Sequence, residues 1–384
     1  MKTSSSPVKP ILTEDDQSVS FAELFFDLVF VFSITQIVHL LHGAFDWVHV
    51  GRAILVFWLV WWAWTQFTWA LNAADTRHNI VLIGTIVATI CAFFMAVSVP
   101  YAFAEYAWWF AAAYVAVRSI GLILYLYVSW SDPNMRSAVR TFAIVSIAGL
   151  ISAIAGGVIG GEAQYWLWGL TILLDVVAAS VGANSEGWNL HPKHFAERHG
   201  LFVIIALGET LIVAASAVAK KSLESQVMIV SMLAVGITSA MWWIYFFRTK
   251  DHMEHAMASH KGSQQSELGR DVYSLLHFPM LCGLIIYAFA IEESMLHPAD
   301  ELTFEGKLAL ALGIFLFAGF QVLAYWRATG KILVTRLIGI SIIAGACLSI
   351  NGTGAIGTLT IALIGLISLC LVEEKTQWNI SHHD

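Results

Sequence analysis

Charge is the scarcest commodity in this sequence of 384 residues. Only 12% are Asp, Glu, Lys or Arg, half of the roughly 25% that a soluble domain carries. So few charges leave no basic patch for a nucleic acid, and no nucleic-acid partner is expected. Cysteine is also sparse. Cys91, Cys282, Cys347 and Cys370 all lie in apolar runs without a Cys-x-x-Cys spacing, which excludes a disulfide framework or a thiolate zinc site. Gly-x-Ser-x-Gly, His-Glu-x-x-His, Walker and dinucleotide signatures are missing, so neither an enzyme nor a cofactor is expected. The polar stretch 1–19 leads into a long apolar run with no Ala-x-Ala-like cleavage site. It therefore reads as a cytosolic tail ahead of an uncleaved helix.

What is abundant is apolar. Hydrophobic residues make up 58% of the chain, and the mean hydropathy is +0.72. They are grouped in runs of about twenty, the length that crosses a hydrocarbon layer about 30 Å thick at 1.5 Å per residue. The alternating ten-residue segments of a transmembrane barrel do not occur. The expected fold is an all-α polytopic membrane protein of about twelve helices. Spans are predicted at 20–42, 51–72, 79–99, 103–130, 137–158, 163–183, 199–219, 225–247, 271–292, 304–326, 333–350 and 353–372.

Positive residues orient this array. With the N-terminus inside, fifteen of the twenty Lys and Arg fall on inner segments. Arg52, Lys220, Lys221 and Lys307 fall outside, and Arg118 within a span. Twelve spans with both termini cytoplasmic follow. A parallel 6+6 repeat is one reading of the pattern. Residues 21–38 and 195–212 both begin Phe-Ala-Glu, and the following spans carry Trp61–Trp62 and Trp242–Trp243. Four of the eighteen aligned positions agree, close to chance. The corresponding parts are a tail 1–19, halves 20–183 and 184–372, and a cytosolic tail 373–384.

Ionisable residues inside spans cost on the order of 2.5–3.5 kcal/mol each and usually face a bundle interior or cavity. Glu23 and Asp27 share one helical face at i, i+4, Asp27 roughly 10 Å deep. They read either as an N-terminal cap or as a functional pair. In the seventh span Glu197, Arg198 and His199 sit at the cytoplasmic mouth, with Glu209 roughly 15 Å further in, near the midplane. Glu209 either binds a proton or cation or belongs to a structural network in the layer of Arg118 and Asp175. If those two neutralise each other, Glu209 is left to titrate. The second span places Trp58, Trp62, Thr65, Trp69 and Asn72 on one face, a packing seam or a stacking surface, with Asn72 and Asp75 near Asp27 or Arg198. His277 beside Pro279 either titrates or bonds a neighbouring helix. His191, and His194 at i, i+3 from Glu197, are weak candidates for a metal, which the absence of cysteine and the adjacent Arg198 disfavour. The loop 248–267 reads as a solvated linker.

The segments "ELFFDLVFVFSITQ" (23–36), "WWAWTQFTWALNAADT" (61–76), "NSEGWNLHPKHFAERHGLFVIIALGE" (184–209) and "DVYSLLHFPM" (271–280) resemble the bacterial low temperature requirement A family of membrane proteins. The likeness covers the first three-quarters of the chain, and the last hundred residues read as generic helices. In the second segment the family often has Asn-Arg before the aspartate, where this chain has Asn72-Ala73-Ala74-Asp75. The resemblance marks Glu23, Asp27, Asn72, Asp75, His191, His194, Glu197, Arg198, Gly208, Glu209 and His277 as family-motif positions and implies no settled activity.

The expected function is a secondary transporter or channel. Glu209 and Asp27 would bind a proton or cation, and Glu197, Arg198 and His199 would gate the cytoplasmic mouth. The rivals are a non-transporting protein of low-temperature adaptation or sensing, and a membrane metalloenzyme. The expected partners are the lipid bilayer and a small solute or ion, and a homo-oligomer is compatible with the sequence.

Overall fold

The structure is a computed structural model that describes residues 11–13, 17–41, 46–183, 188, 190–220 and 224–381. Its helices are α1 (Phe21–Leu40), α2 (Trp47–Ala73), α3 (Asn79–Ser98), α4 (Ala107–Val128), α5 (Pro133–Ile159), α6 (Gly161–Ala183), α7 (Pro192–Lys220), α8 (Ser225–Phe246), α9 (Thr249–Ala258), α10 (Ser263–Leu268), α11 (His277–Leu296), α12 (Phe304–Thr329), α13 (Val334–Ser349) and α14 (Ala355–Ser381). Eleven of the twelve expected spans each overlap one of them, and the ninth is divided. Among the described residues, ten helices are long and apolar enough to cross a membrane, and α13 is a shorter apolar helix. No strand occurs among the described residues. This is an all-α, multi-pass membrane architecture.

The helix ends follow local chemistry. Asp132 caps α5 by accepting from the backbone N–H groups of Asn134 and Met135, with Pro133 at the first helical position. Thr303 caps α12, and Gly330 ends it in the left-handed conformation at φ 72°. The turn between α5 and α6 needs two consecutive positive-φ residues, Gly160 at 67° and Gly161 at 62°.

The faces of α3 show what surrounds the bundle. Thr85, Ala88, Thr89, Ala92 and Ala96 point inward, while Ile83, Ile86, Ile90, Phe93 and Phe94 point outward. Small residues bring helices close and bulky apolar ones face hydrocarbon, the reverse of a water-soluble helix.

Two compact units, each discontinuous in sequence, make up the chain. Unit 1 comprises residues 1–30, 59–198 and 261–267, and unit 2 comprises 31–58, 199–260 and 268–384. In unit 1, α3 packs on α4, α4 on α5 and α5 on α6. In unit 2, α8, α11, α12, α13 and α14 close a ring, each packed on the next and α14 back on α8. The α11–α12 contact is glycine on glycine. A Cβ built on Gly283 would lie 2.6 Å from the Phe317 nitrogen and 2.7 Å from the Gly313 carbonyl oxygen.

Four segments depart from the sequence reading. The ninth span, expected as 271–292, is divided. Residues Gly269–Leu275 are π-helical, and α11 starts at His277. Pro279 cannot donate to the preceding turn. The Asp271 carbonyl accepts from the Leu276 N–H, five residues on, at 3.0 Å, and the Val272 carbonyl accepts from the His277 ring at 2.8 Å. The expected linker 248–267 contains α9, which buries Thr249, Met253 and Met257 and packs on α12. At the C-terminal end, α14 continues through 381, and Glu373 holds Arg336 through two hydrogen bonds of 2.8 Å. At the N-terminal end, Thr13 donates to the Ala73 carbonyl at 3.1 Å and Asp75 to the Ile11 carbonyl at 2.8 Å, so residues 11–13 are pinned along the end of α2.

A buried charged cluster as candidate functional site

Unit 1 gathers side chains from α1, α2 and α7 around one guanidinium. Ser20 and Glu23 form a reciprocal cap at the start of α1. Glu23 Oε2 accepts from the Ser20 N–H at 2.8 Å and its hydroxyl at 2.9 Å, and the Glu23 N–H reaches back to Ser20 Oγ at 3.4 Å. The carboxylate serves a second purpose. Its Oε1 accepts from Arg198 Nη1 at 2.9 Å and lies 3.1 Å from His194 Nε2. One turn on, Asp27 Oδ1 accepts from Arg198 Nη2 at 2.5 Å and from the Trp64 indole at 2.7 Å. Arg198 Cζ lies 5.5 Å from the centre of the Trp64 ring. Glu23, Asp27, His194 and Arg198 are each at most 1% exposed. Two atoms in this dense set have no hydrogen-bond partner, Asp27 Oδ2 and Arg198 Nε.

Asn72 determines the protonation of His194. Its amide oxygen accepts from the His191 backbone N–H at 2.8 Å, and its amide nitrogen donates to the His191 carbonyl at 3.0 Å. With both ends of the amide oriented by backbone groups, the NH₂ also faces His194 Nδ1 at 3.1 Å. That ring nitrogen can only accept, so His194 is neutral and presents Nε2–H to Glu23. Both ring nitrogens are engaged, and among the described residues no group of three or more His, Cys, Asp or Glu is arranged to hold a metal.

A second buried pair lies in the same unit. Arg118 Nη1 bonds Asp175 Oδ1 at 3.0 Å and the Tyr114 hydroxyl at 2.7 Å. Arg118 Nε bonds the Gln66 amide oxygen, and Gln66 returns a bond to the Arg118 carbonyl at 3.1 Å. Its partners come from α2, α4 and α6, and the network tethers three helices.

Other marked residues lie elsewhere. Asp75 is a turn residue, accepting from the Arg77 N–H at 3.0 Å. Glu197 is half-buried, with no ion-pair partner among the described residues. In unit 2, Glu209 Oε2 accepts from the Thr35 hydroxyl at 2.7 Å, and its Oε1 has no partner. Thr35 is fourteen residues, about 21 Å, beyond the start of α1, past the middle of that helix. His199 is fully buried against the rings of Tyr273 and His277, at 5.1 and 5.5 Å. His277 gives its Nδ1 proton to Val272 and accepts at Nε2 from the Tyr245 hydroxyl at 2.9 Å.

The aromatic seam also differs in detail. Trp64, off the face predicted to carry Trp58, Trp62 and Trp69, is the ring that reaches Asp27. Trp69 packs edge-on against Trp188 and Phe195 at 5.4 and 5.0 Å. Ser20, Trp64 and Thr35 were missed as site residues. Only Ser20 left a readable signal, the Ser-x-x-Glu spacing of a capping box.

The bacterial low temperature requirement A protein (LtrA) family matches residues 18–372. The chain belongs to that family. The match runs through the last hundred residues, which looked generic in sequence, and so includes the α12–α14 helices of unit 2. The Rhizobium meliloti (strain 1021) protein RA0937, itself uncharacterized, is 30% identical over 351 residues, 86% of this chain and 83% of its own length. No solved structure matches at a significant level. In this LtrA-family chain the motif residues Glu23, Asp27, Asn72, His194 and Arg198, distant in sequence, share one buried network.

Proposed function

We propose that this LtrA-family protein is a non-enzymatic secondary transporter or channel of the bacterial plasma membrane, with both ends cytoplasmic and a proton- or cation-linked site around Arg198. One observation carries the reading. Two carboxylates and a guanidinium from α1 and α7 are withdrawn from solvent within a bundle of apolar helices. Such a triad costs several kcal/mol per ion to desolvate, and an apolar replacement of equal volume is often as stable or more so. Retaining it is worthwhile where the charges change partners during a cycle, as in proton relays and ion pathways. Arg198 is then the switching cation, rather than part of a gate formed with Glu197 and His199. Glu209, bonded to Thr35, is a second intramembrane carboxylate available to the same cycle.

The test is flux through purified protein in liposomes containing a pH-reporting dye and driven by a potassium diffusion potential. Wild-type protein should move protons, or sodium when that gradient is imposed, faster than empty vesicles, and Asp27→Asn should lose most of the difference. If wild-type vesicles match empty ones for proton, sodium and potassium gradients, the ion-linked reading fails. The non-transporting role in low-temperature adaptation then takes its place.

A further inference from the structure

We infer that the ion held by the Arg198 cluster is a proton, and that it sits on Oδ2 of Asp27. The inference deepens the transport reading and rests on it for its role in a cycle, although occupancy by the proton can be measured without flux.

The hydrogen bonds allow a charge count. Glu23 receives donors on both oxygens: Ser20 N–H, Ser20 Oγ–H and His194 Nε2 on Oε2, and Arg198 Nη1 on Oε1. An oxygen so supplied has no room for a proton, so Glu23 is an anion. His194 is neutral, because Asn72 turns an NH₂ toward its Nδ1. Arg198 is a cation, as guanidinium is in proteins. With Asp27 ionised, the cluster would carry one uncompensated negative charge at no more than 1% exposure. An isolated buried charge of this kind costs far more than neutralising it.

The unpartnered atom says where the neutralising charge goes. Asp27 Oδ1 accepts from Arg198 and Trp64, while Oδ2 is buried without a partner. A proton on Oδ2 leaves every other bond in the cluster intact. A metal cation does not fit there, since it needs about six oxygen ligands and Arg198 Nη2 already lies 2.5 Å from the other oxygen of the same carboxylate. The charged groups facing Asp27 among the described residues are Glu23 on α1 and Arg198 on α7, with His194 on α7 reaching Glu23. From α2 comes the neutral Trp64. With Asp27 protonated, Glu23 and Arg198 balance and the whole cluster is neutral. Losing that proton makes the cluster an anion that must admit a positive charge or open.

Infrared difference spectroscopy of the purified full-length protein in lipid nanodiscs tests this at neutral pH. The C=O stretch of a protonated carboxyl, shifted by deuterium exchange, should be present in wild type and in Glu209→Gln, and lost in Asp27→Asn. Loss of the band in Glu209→Gln with retention in Asp27→Asn places the proton on Glu209 and overturns the assignment, as does a wild-type spectrum with no such band. If Asp27→Asn does not fold, Asp27→Glu is the second variant. A moved C=O frequency supports the assignment, and an unchanged band overturns it. Failure is separable from failure of the transport reading. An Asp27-dependent band without flux leaves the proton in place and removes the transporter, whereas flux without the band does the reverse.

Discussion

Arg198 and Asp27 stand 171 residues apart in the chain and 2.5 Å apart in the fold. The same guanidinium reaches Glu23 with its other terminal nitrogen. α1 and α7 are thereby joined through two charge-assisted bonds buried from solvent.

Removing one member of this triad should destabilise the protein more than removing an exposed charge. Arg198→Gln strands the Glu23 carboxylate and takes a donor from Asp27 Oδ1, and breaking a buried pair costs about 3–5 kcal/mol. Arg198→Lys should recover only part of this loss, because an ammonium cannot span Glu23 and Asp27 as the fork does. Melting temperatures in detergent should fall in the order wild type, Arg198→Lys, Arg198→Gln. Equal values for all three would refute a joining role for the guanidinium.

The Thr35–Glu209 bond predicts a contrast between two conservative changes. Thr35→Val keeps the shape but leaves a buried carboxyl oxygen without its donor, a loss of about 1–3 kcal/mol. Thr35→Ser retains the hydroxyl and should melt close to wild type. Denaturation followed by tryptophan fluorescence separates the two.

In unit 2 the α11–α12 contact leaves no space for a side chain. A Cβ on Gly283 meets backbone atoms at 2.6 and 2.7 Å, and backbone cannot turn aside as a side-chain tip can. Gly283→Ala should therefore cost about 1–3 kcal/mol through overpacking, and Gly283→Leu should abolish folding. Gly345→Ala, where nothing lies within 4 Å of the added carbon, is the matched control and should be near neutral.

Outside the spans, Glu301 bonds the Lys307 ammonium at 2.6 Å and the Gly352 N–H at 3.1 Å. These partners, Lys307 foremost, hold its pKa below the ordinary carboxylate value of 4.5. A depressed folded-state value means that the contribution to stability is complete above the unfolded value and fades as pH falls through the folded one. The stability gap between wild type and Glu301→Gln should be constant from neutral pH down to about 4.5 and close in more acidic solution. A gap independent of pH in that range would show that the carboxylate charge is not involved.

Much of this was decided locally. Stretches such as 79–98 and 304–329 are helical and membrane-spanning because their own twenty-odd residues are apolar and long enough to cross hydrocarbon. Asp132 with Pro133, Thr303 and Gly330 then set their ends. The capping box at Ser20 and Glu23 depends on a three-residue spacing and could be read in advance. Even the list of costly residues, Glu23, Asp27, Arg118, Asp175, Arg198 and Glu209, follows from hydropathy alone, since a charge in an apolar run stands out. Hydropathy carries no information about partners. That Arg198 takes Glu23 and Asp27, Arg118 takes Asp175 and Gln66, and Glu209 takes a hydroxyl was decided by which helix faces pack together. Those contacts span 52 to 175 residues of sequence. Trp64 shows the limit most sharply. Its own helix periodicity assigns it to the wrong face, and only the seating of α1 against α2 puts its indole N–H within 2.7 Å of Asp27.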